Sequence, residues 1–195
     1  MAMTERRKGK LVVISGPSGV GKGTICKAVV ERTGAMLSVS TTSRPKAHSE
    51  IDGREYRFIS REAFEEGVRD DEFLEYAEVF GNFYGTPRGT VEAALSQGRT
   101  VILEIDVQGG RKVKSLYPDV TTIFILPPSP HDLASRMQGR GRGEDAQNAR
   151  MRLDTATREI AAAWQYYQHM VINADLEHAI REVIDIIQAN NGETQ

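Results

Sequence analysis

Leu11-Val12-Val13-Ile14-Ser15-Gly16-Pro17-Ser18-Gly19-Val20-Gly21-Lys22-Gly23-Thr24 decides the fold of this chain. An apolar run of strand type feeds a glycine-rich turn. Ile25, Ala28 and Val29 then fall at helical i, i+3, i+4 spacing, and Gly34 can end that helix. Strand, glycine turn and helix in that order predict a phosphate-binding loop, whose backbone N–H groups point at an anion where the helix starts. Glycine permits backbone angles and a close approach that a Cβ would forbid. Lys22 is then placed to reach the β- and γ-phosphates of a nucleotide. Gly16, Pro17, Ser18, Gly19, Val20, Gly21, Lys22, Gly23 and Thr24 are the candidate triphosphate contacts. Gly23 stands where a Ser or Thr normally offers a hydroxyl to Mg²⁺, so the expected metal contact is Thr24, directly or through water.

Outward from the loop, apolar runs alternate with helical patterns, which predicts an α/β class with a parallel sheet. The candidate core strands are 11–15, 36–40, 100–106, 121–126 and 170–173. Between the second and third the texture changes. Short strand-like pieces at 55–59 and 73–80 flank a helical segment that begins after Ser60, which reads as an inserted lobe. After Pro127-Pro128-Ser129 a helix from about His131 runs into Gly139-Arg140-Gly141-Arg142-Gly143, where glycine predicts mobility. A long helical pattern spans Asp145 to about Gln168, a last helix covers Leu176 to Ile187, and the end from Asn190 reads as a frayed tail.

A chain of 195 residues, 39% hydrophobic and 27% charged, predicts one globular domain able to bury a core. The net charge of −2 gives no global attraction to nucleic acid or to an anionic membrane, so phosphate binding must come from local basic clusters. The polar, basic start and the four-residue apolar run that follows are too short for a signal peptide, and no run reaches membrane-spanning length. A cytoplasmic protein is the expectation. Cys26 is the only cysteine, which excludes an intrachain disulfide, and His48, His131, His169 and His178 show no metal-ligand spacing.

Val101-Ile102-Leu103-Glu104-Ile105-Asp106 is an apolar run that ends in an acid, the arrangement that brings a carboxylate beside metal and phosphates. Asp106 is the residue expected at the strand's carboxyl end, where open α/β sheets bind ligands; capping the next helix is its plainer alternative. Asp106-Val107-Gln108-Gly109 also fits the D-x-x-G pattern of GTPases. None of Asn82, Asn148, Asn173, Asn190 or Asn191 is followed by Lys, so the guanine-reading N-K-x-D sequence is missing. Arg136, Arg140, Arg142, Arg150 and Arg152 crowd around the glycine-rich interruption. Phosphoryl transfer needs such charge to neutralise the transferring group, while a solvated helix face and an RNA-touching loop compete as readings.

Further stretches resemble the successive motifs of guanylate kinases, in that family's order. They are Ser38-Val39-Ser40-Thr41-Thr42-Ser43-Arg44, Asp52-Gly53-Arg54-Glu55-Tyr56-Arg57-Phe58, Phe73-Leu74-Glu75-Tyr76-Ala77, Gly81-Asn82-Phe83-Tyr84-Gly85-Thr86 and Ile105-Asp106-Val107-Gln108-Gly109. Some nucleoside monophosphate kinases also carry a similar Gly-Lys-Gly-Thr. The resemblance implies a P-loop three-layer fold in one domain across 1–195: a core at about 10–40, 87–130 and 168–190, a GMP-binding lobe at about 41–86 and a small mobile lid at about 131–167. It implies that Glu75 accepts the adjacent N1–H and 2-amino donors of guanine, with Thr86, Asp106 and Thr41 beside it. Arg44, Tyr56, Tyr84 and Gly85 match the surroundings of GMP and its phosphate. Arg136, Arg140 and Arg152 match lid residues on the transferring phosphates, and Asn173 one near adenine. Where the family usually has a second arginine, this chain has Ala47, with Lys46 and Arg54 as possible substitutes for its charge.

The activity so implied is Mg²⁺-assisted transfer from ATP to GMP, or dGMP, giving GDP by direct in-line displacement, within purine nucleotide metabolism. Lys22 and the lid arginines would take up charge, and closing lobes would exclude water. ATP and GMP are the expected partners, with no nucleic acid or membrane; monomer and homo-oligomer both stay open. Two rivals remain: a non-catalytic interaction module, which typically lacks an intact phosphate loop, and a kinase of another small phosphate ester on the same scaffold.

Overall fold

The structure is a computed structural model that describes residues 9–79, 81–138 and 146–189, with side chains for all of these except 136–138 and 146–152. The chain runs β1 (Lys10–Ser15), α1 (Lys22–Thr33), β2 (Met36–Leu37), β3 (Thr41–Thr42), β4 (Arg57–Phe58), α2 (Arg61–Arg69), β5 (Phe73–Val79) and β6 (Asn82–Pro87). It continues through α3 (Arg88–Ser96), β7 (Thr100–Glu104), α4 (Val107–Leu116), β8 (Thr121–Leu126), α5 (Pro130–Gln138), α6 (Ala146–Tyr166), β9 (His169–Ile172) and α7 (Leu176–Ala189).

β1 lies at the centre of a five-stranded parallel sheet of order β2-β7-β1-β8-β9. Its alternation supplies both sides of that sheet. Val12 and Ile14 join Ile25, Val29, Val171, Ile180 and Val183 in one core cluster, while Leu11 and Val13 join Val91, Leu103, Val113 and Phe124 in the other. A sheet buried on both faces by helices is the α/β layering that the continuous apolar strands predict. α5 and α6 add Leu133, Ala156 and Ala163 to these two clusters. The boundary drawn at 131–167 for a separate lid therefore encloses residues that pack with the core.

Several element ends differ from the sequence reading, each for a local reason. β2 stops at Leu37 because, after Ser38 N–H donates to Ile102 O, the chain leaves the sheet for the lobe. β7 stops at Glu104, two residues short of Asp106. The strand expected at 55–59 narrows to β4, since Gly53 and Tyr56 are joined by a turn hydrogen bond.

The insertion between β2 and α3 builds its own sheet, β4-β3-β6-β5. Phe64 of α2 fills its centre, stacked on Phe73 at 4.3 Å and on Phe83 at 5.2 Å between ring centroids. Ser60 starts α2 by accepting from Ala63 N–H, a cap contributing about 1 kcal/mol. Gly85 lets this packing close: a Cβ there would come within 2.8 Å of the Phe73 ring.

Candidate active site

The phosphate loop leaves β1 at Gly16, whose added Cβ would sit 2.5 Å from the Ile125 carbonyl oxygen of the neighbouring strand. Gly19 and Gly21 have φ of 86° and 101°, in the region that L side chains avoid. Gly21 precedes α1, and no side chain caps that helix, so its first N–H groups face the loop mouth. Lys22 folds back over the loop and its ammonium donates to the carbonyls of Gly16 and Pro17. Ser18 and Thr24 are exposed.

Asn173 lies under the phosphate loop. It is buried directly after β9, and its amide donates to Val20 O at 2.8 Å while lying against Gly21. It braces the loop from beneath, because β9 runs parallel to β8 and its backbone continues with Asn173 N–H donating to Leu126 O.

At the carboxyl edge of β7 the strand-terminal acid is Glu104, paired in register with Ile14. A Cβ on Gly23 would lie 3.7 and 3.8 Å from its two carboxylate oxygens. Asp106 takes the capping role, accepting from Gly109 N–H at 2.8 Å at the start of α4.

In the inserted lobe, β5 and β6 place Glu75 opposite Thr86, just after an irregularity between Phe73 and Glu75. The Thr86 hydroxyl donates to Glu75 Oε1 at 2.6 Å, and both residues are buried. Burial pushes the Glu75 carboxyl up to about 7, and nearby Asp106 adds to the rise, while the Thr86 bond and Lys112 oppose it. Thr41 pairs with Gly85 in the same sheet.

A second group forms around Arg44. Tyr56 and Tyr84 meet edge to face at 5.7 Å, and the Arg44 guanidinium lies over the Tyr56 ring at 5.6 Å, with Tyr84 within its electrostatic reach. Burial, with Glu104 next in weight, pushes the Tyr56 hydroxyl up to about 12, so it stays a donor at neutral pH. Glu50 organises the loop. Its carboxylate accepts from Arg44 Nη2 at 2.6 Å and from Ala47 N–H at 2.8 Å. Lys46 donates to Glu50 O and Arg54 pairs with Glu55, so both candidate replacements for the second arginine are engaged within their own loop.

Among the expected arginines, Arg136 and Arg152 fall on α5 and α6 with side chains outside the described set, and Arg140 lies outside the described residues altogether. The sequence reading missed Glu159. Burial pushes this α6 carboxyl up to about 7, Asp106 adds to the rise and Lys22 opposes it, which puts Glu159 within electrostatic reach of both. An acid set on the apolar stripe Ala156, Ile160, Ala163 of a helix was the available signal. Cys26 is buried, and burial raises its thiol far above the usual range, so it packs as an inert side chain.

A sequence model described as Guanylate kinase matches residues 8–190. The chain belongs to the guanylate kinase family. The guanylate kinase of Symbiobacterium thermophilum is 46% identical over 193 residues, 98% of this chain and 90% of that protein. That of Clostridium acetobutylicum is 45% identical over 183 residues, covering 94% and 87%. The crystal structure of guanylate kinase from Anaplasma phagocytophilum superposes with a TM-score of 0.82 at 33% identity, covering 97% of this chain and 89% of that one. A gluconokinase from Sinorhizobium meliloti, 17% identical with a TM-score of 0.53 over 95% of each chain, shares the fold. This chain carries the phosphate loop at the end of β1 and the buried Glu75–Thr86 pair in the inserted lobe.

Proposed function

We propose that the chain transfers the γ-phosphoryl group of ATP to GMP, releasing ADP and GDP. The observation that carries this reading is the Glu75–Thr86 pair, buried in the inserted lobe of a chain that also holds the phosphate loop. Guanine offers N1–H and the 2-amino group side by side. A carboxylate oriented by Thr86 accepts from both, and adenine has no such donor pair. Arg44, Tyr56 and Tyr84 supply donors for the acceptor's phosphate, and the guanidinium suits a bidentate contact. A phosphate oxygen of GMP attacks the γ-phosphorus in line, the bond to the ADP oxygen breaks, and Lys22 with the loop amides takes up the charge. Arg136, Arg140 and Arg152 join them when the lid closes, which also keeps water from the γ-phosphate.

Mg²⁺ suits the hard oxygen donors at this end of the loop, the exposed Thr24 hydroxyl and the Glu104 carboxylate. Thr24 would hold it, directly or through water, with Glu104 facing the position of Gly23. A magnesium ion held there would supply positive charge against the triphosphate. Among the described residues, no helix is long and apolar enough to cross a membrane. A cytoplasmic place in purine nucleotide metabolism suits the substrates. An interaction module would not need the loop lysine and the guanine-reading pair together.

A coupled assay of ATP with GMP, dGMP, AMP, CMP and UMP tests the reading. ADP release with GMP, and with dGMP at most, is the expected result; equal rates with AMP would overturn it.

A further inference from the structure

Tyr167 directly follows α6, at the point where three functional segments meet. Its hydroxyl donates to Ser15 Oγ at 2.6 Å, and Ser15 Oγ in turn donates to Ile105 O at 2.7 Å, with Asp106 O next nearest at 3.4 Å. Both side chains are buried. The ring is held edge-on against Phe124 of β8 at 5.3 Å, and the hydroxyl fills a space that exists only because position 110 is glycine: a Cβ there would lie 2.1 Å from it. Burial, with Asp106, Glu159 and Glu75 adding, pushes the phenol above its ordinary range, while the bond with Ser15 opposes the rise; the group stays protonated and donates.

Each partner belongs to a different part of the site. Ser15 is the last residue before the phosphate loop, Ile105 and Asp106 form the turn that opens α4 beside Glu75, and Tyr167 closes the helix that carries Glu159. Apolar contact would hold these parts together but leave their relative depth loose, whereas a hydrogen-bond chain fixes distance and direction. We propose that Tyr167 is a positioning residue for phosphoryl transfer: its hydroxyl, acting through Ser15, sets the phosphate loop against the Asp106 turn and α6. The inference rests on the kinase reading above, though not on the identity of the acceptor.

Tyr167→Phe keeps the ring packing and removes only the donor. A misplaced loop costs alignment in the transition state more than ground-state binding. The test measures kcat and both KM values for the parent chain, Tyr167→Phe, Ser15→Ala and the double variant, with whichever nucleoside monophosphate the parent phosphorylates best. The expected result is a loss of about tenfold in kcat for Tyr167→Phe, with both KM values within about twofold of the parent. The double variant should lose no more than the worse single one, because both break the same chain. A lowered melting temperature with unchanged kcat, or losses that simply multiply, would overturn the proposal. A parent that prefers an acceptor other than GMP removes the guanine reading alone, and the Tyr167 comparison is then made on that acceptor.

Discussion

Glu75 and Gly109 are in such close contact that a Cβ on the glycine would sit 2.5 Å from Glu75 Oε2. The carboxylate cannot swing away cheaply, because Thr86 holds its other oxygen and the residue is buried. Gly109→Ala is therefore expected to raise the KM for GMP by about tenfold or more, through a displaced or rotated acceptor pair. The KM for ATP should stay within about twofold. Steady-state kinetics with each nucleotide varied in turn checks this, and an unaltered KM for GMP would refute the contact's role.

On the proposed reading guanine is accepted by an ionised Glu75, yet burial pushes that carboxyl up to about 7. Hence kcat/KM for GMP should fall as pH drops below about 7, approaching tenfold per unit. Glu159 also sits at about 7, so the two must be separated. Glu75→Gln should abolish most GMP capture and its acid limb together, while Glu159→Gln should leave that limb in place. Stability runs the other way. A carboxyl raised from 4.5 to about 7 on folding favours the fold fully below 4.5, and that support is lost as pH rises through about 7. Melting temperature should thus decline across that window, less steeply in Glu75→Gln.

With Ala47 in place of a second arginine, Arg44 is the loop's proposed phosphate contact, and Glu50 already pairs with it, while Arg54 is held by Glu55. The Ala47 side chain is exposed, so an arginine fits without repacking. Ala47→Arg should lower the KM for GMP by about tenfold, the scale of one charge-assisted hydrogen bond. Isothermal titration with GMP measures the binding affinity directly, without turnover, and equal affinity in parent and variant would refute it.

Lys22→Ala should reduce turnover by at least about a thousandfold with the circular dichroism spectrum unchanged, since positioning and charge are most of this chemistry. Near-parental activity would exclude the loop as the phosphate site.

At position 23 there is room for a side chain, with ordinary contact to Glu104. Gly23→Ser returns a hydroxyl to the usual place and removes a glycine from α1, with about 0.5 kcal/mol gained in helix propensity. The Mg²⁺ concentration for half-maximal rate should fall. If it does not, Thr24 and Glu104 already supply what the hydroxyl would add.

The fold and half of the site were legible because their signals are local. β1, the glycine turn and α1 are written in consecutive residues, and Glu75 and Thr86 lie in short motifs whose order the resemblance recognises. Glu104, Glu159 and Tyr167 were not legible in the same way. Their places come from parallel pairing and helix packing between segments far apart in sequence, and the one local hint, the acid Glu159 on the apolar stripe of α6, does not say what it faces. Asp106 shows the same limit from the other side: an apolar run ending in an acid reads as strand to its last residue, but the turn begins after Glu104 and gives Asp106 to α4.

The brace from Asn173 to Val20 spans 153 positions of sequence. The loop's residues are made early, but the support beneath them arrives only when β9 docks on β8 near the end of the chain. During synthesis, therefore, the nascent protein carries the loop's sequence long before it has this support. A chain cut before β9 keeps the motif without the Asn173 support beneath it, and is expected to hold nucleotide more weakly.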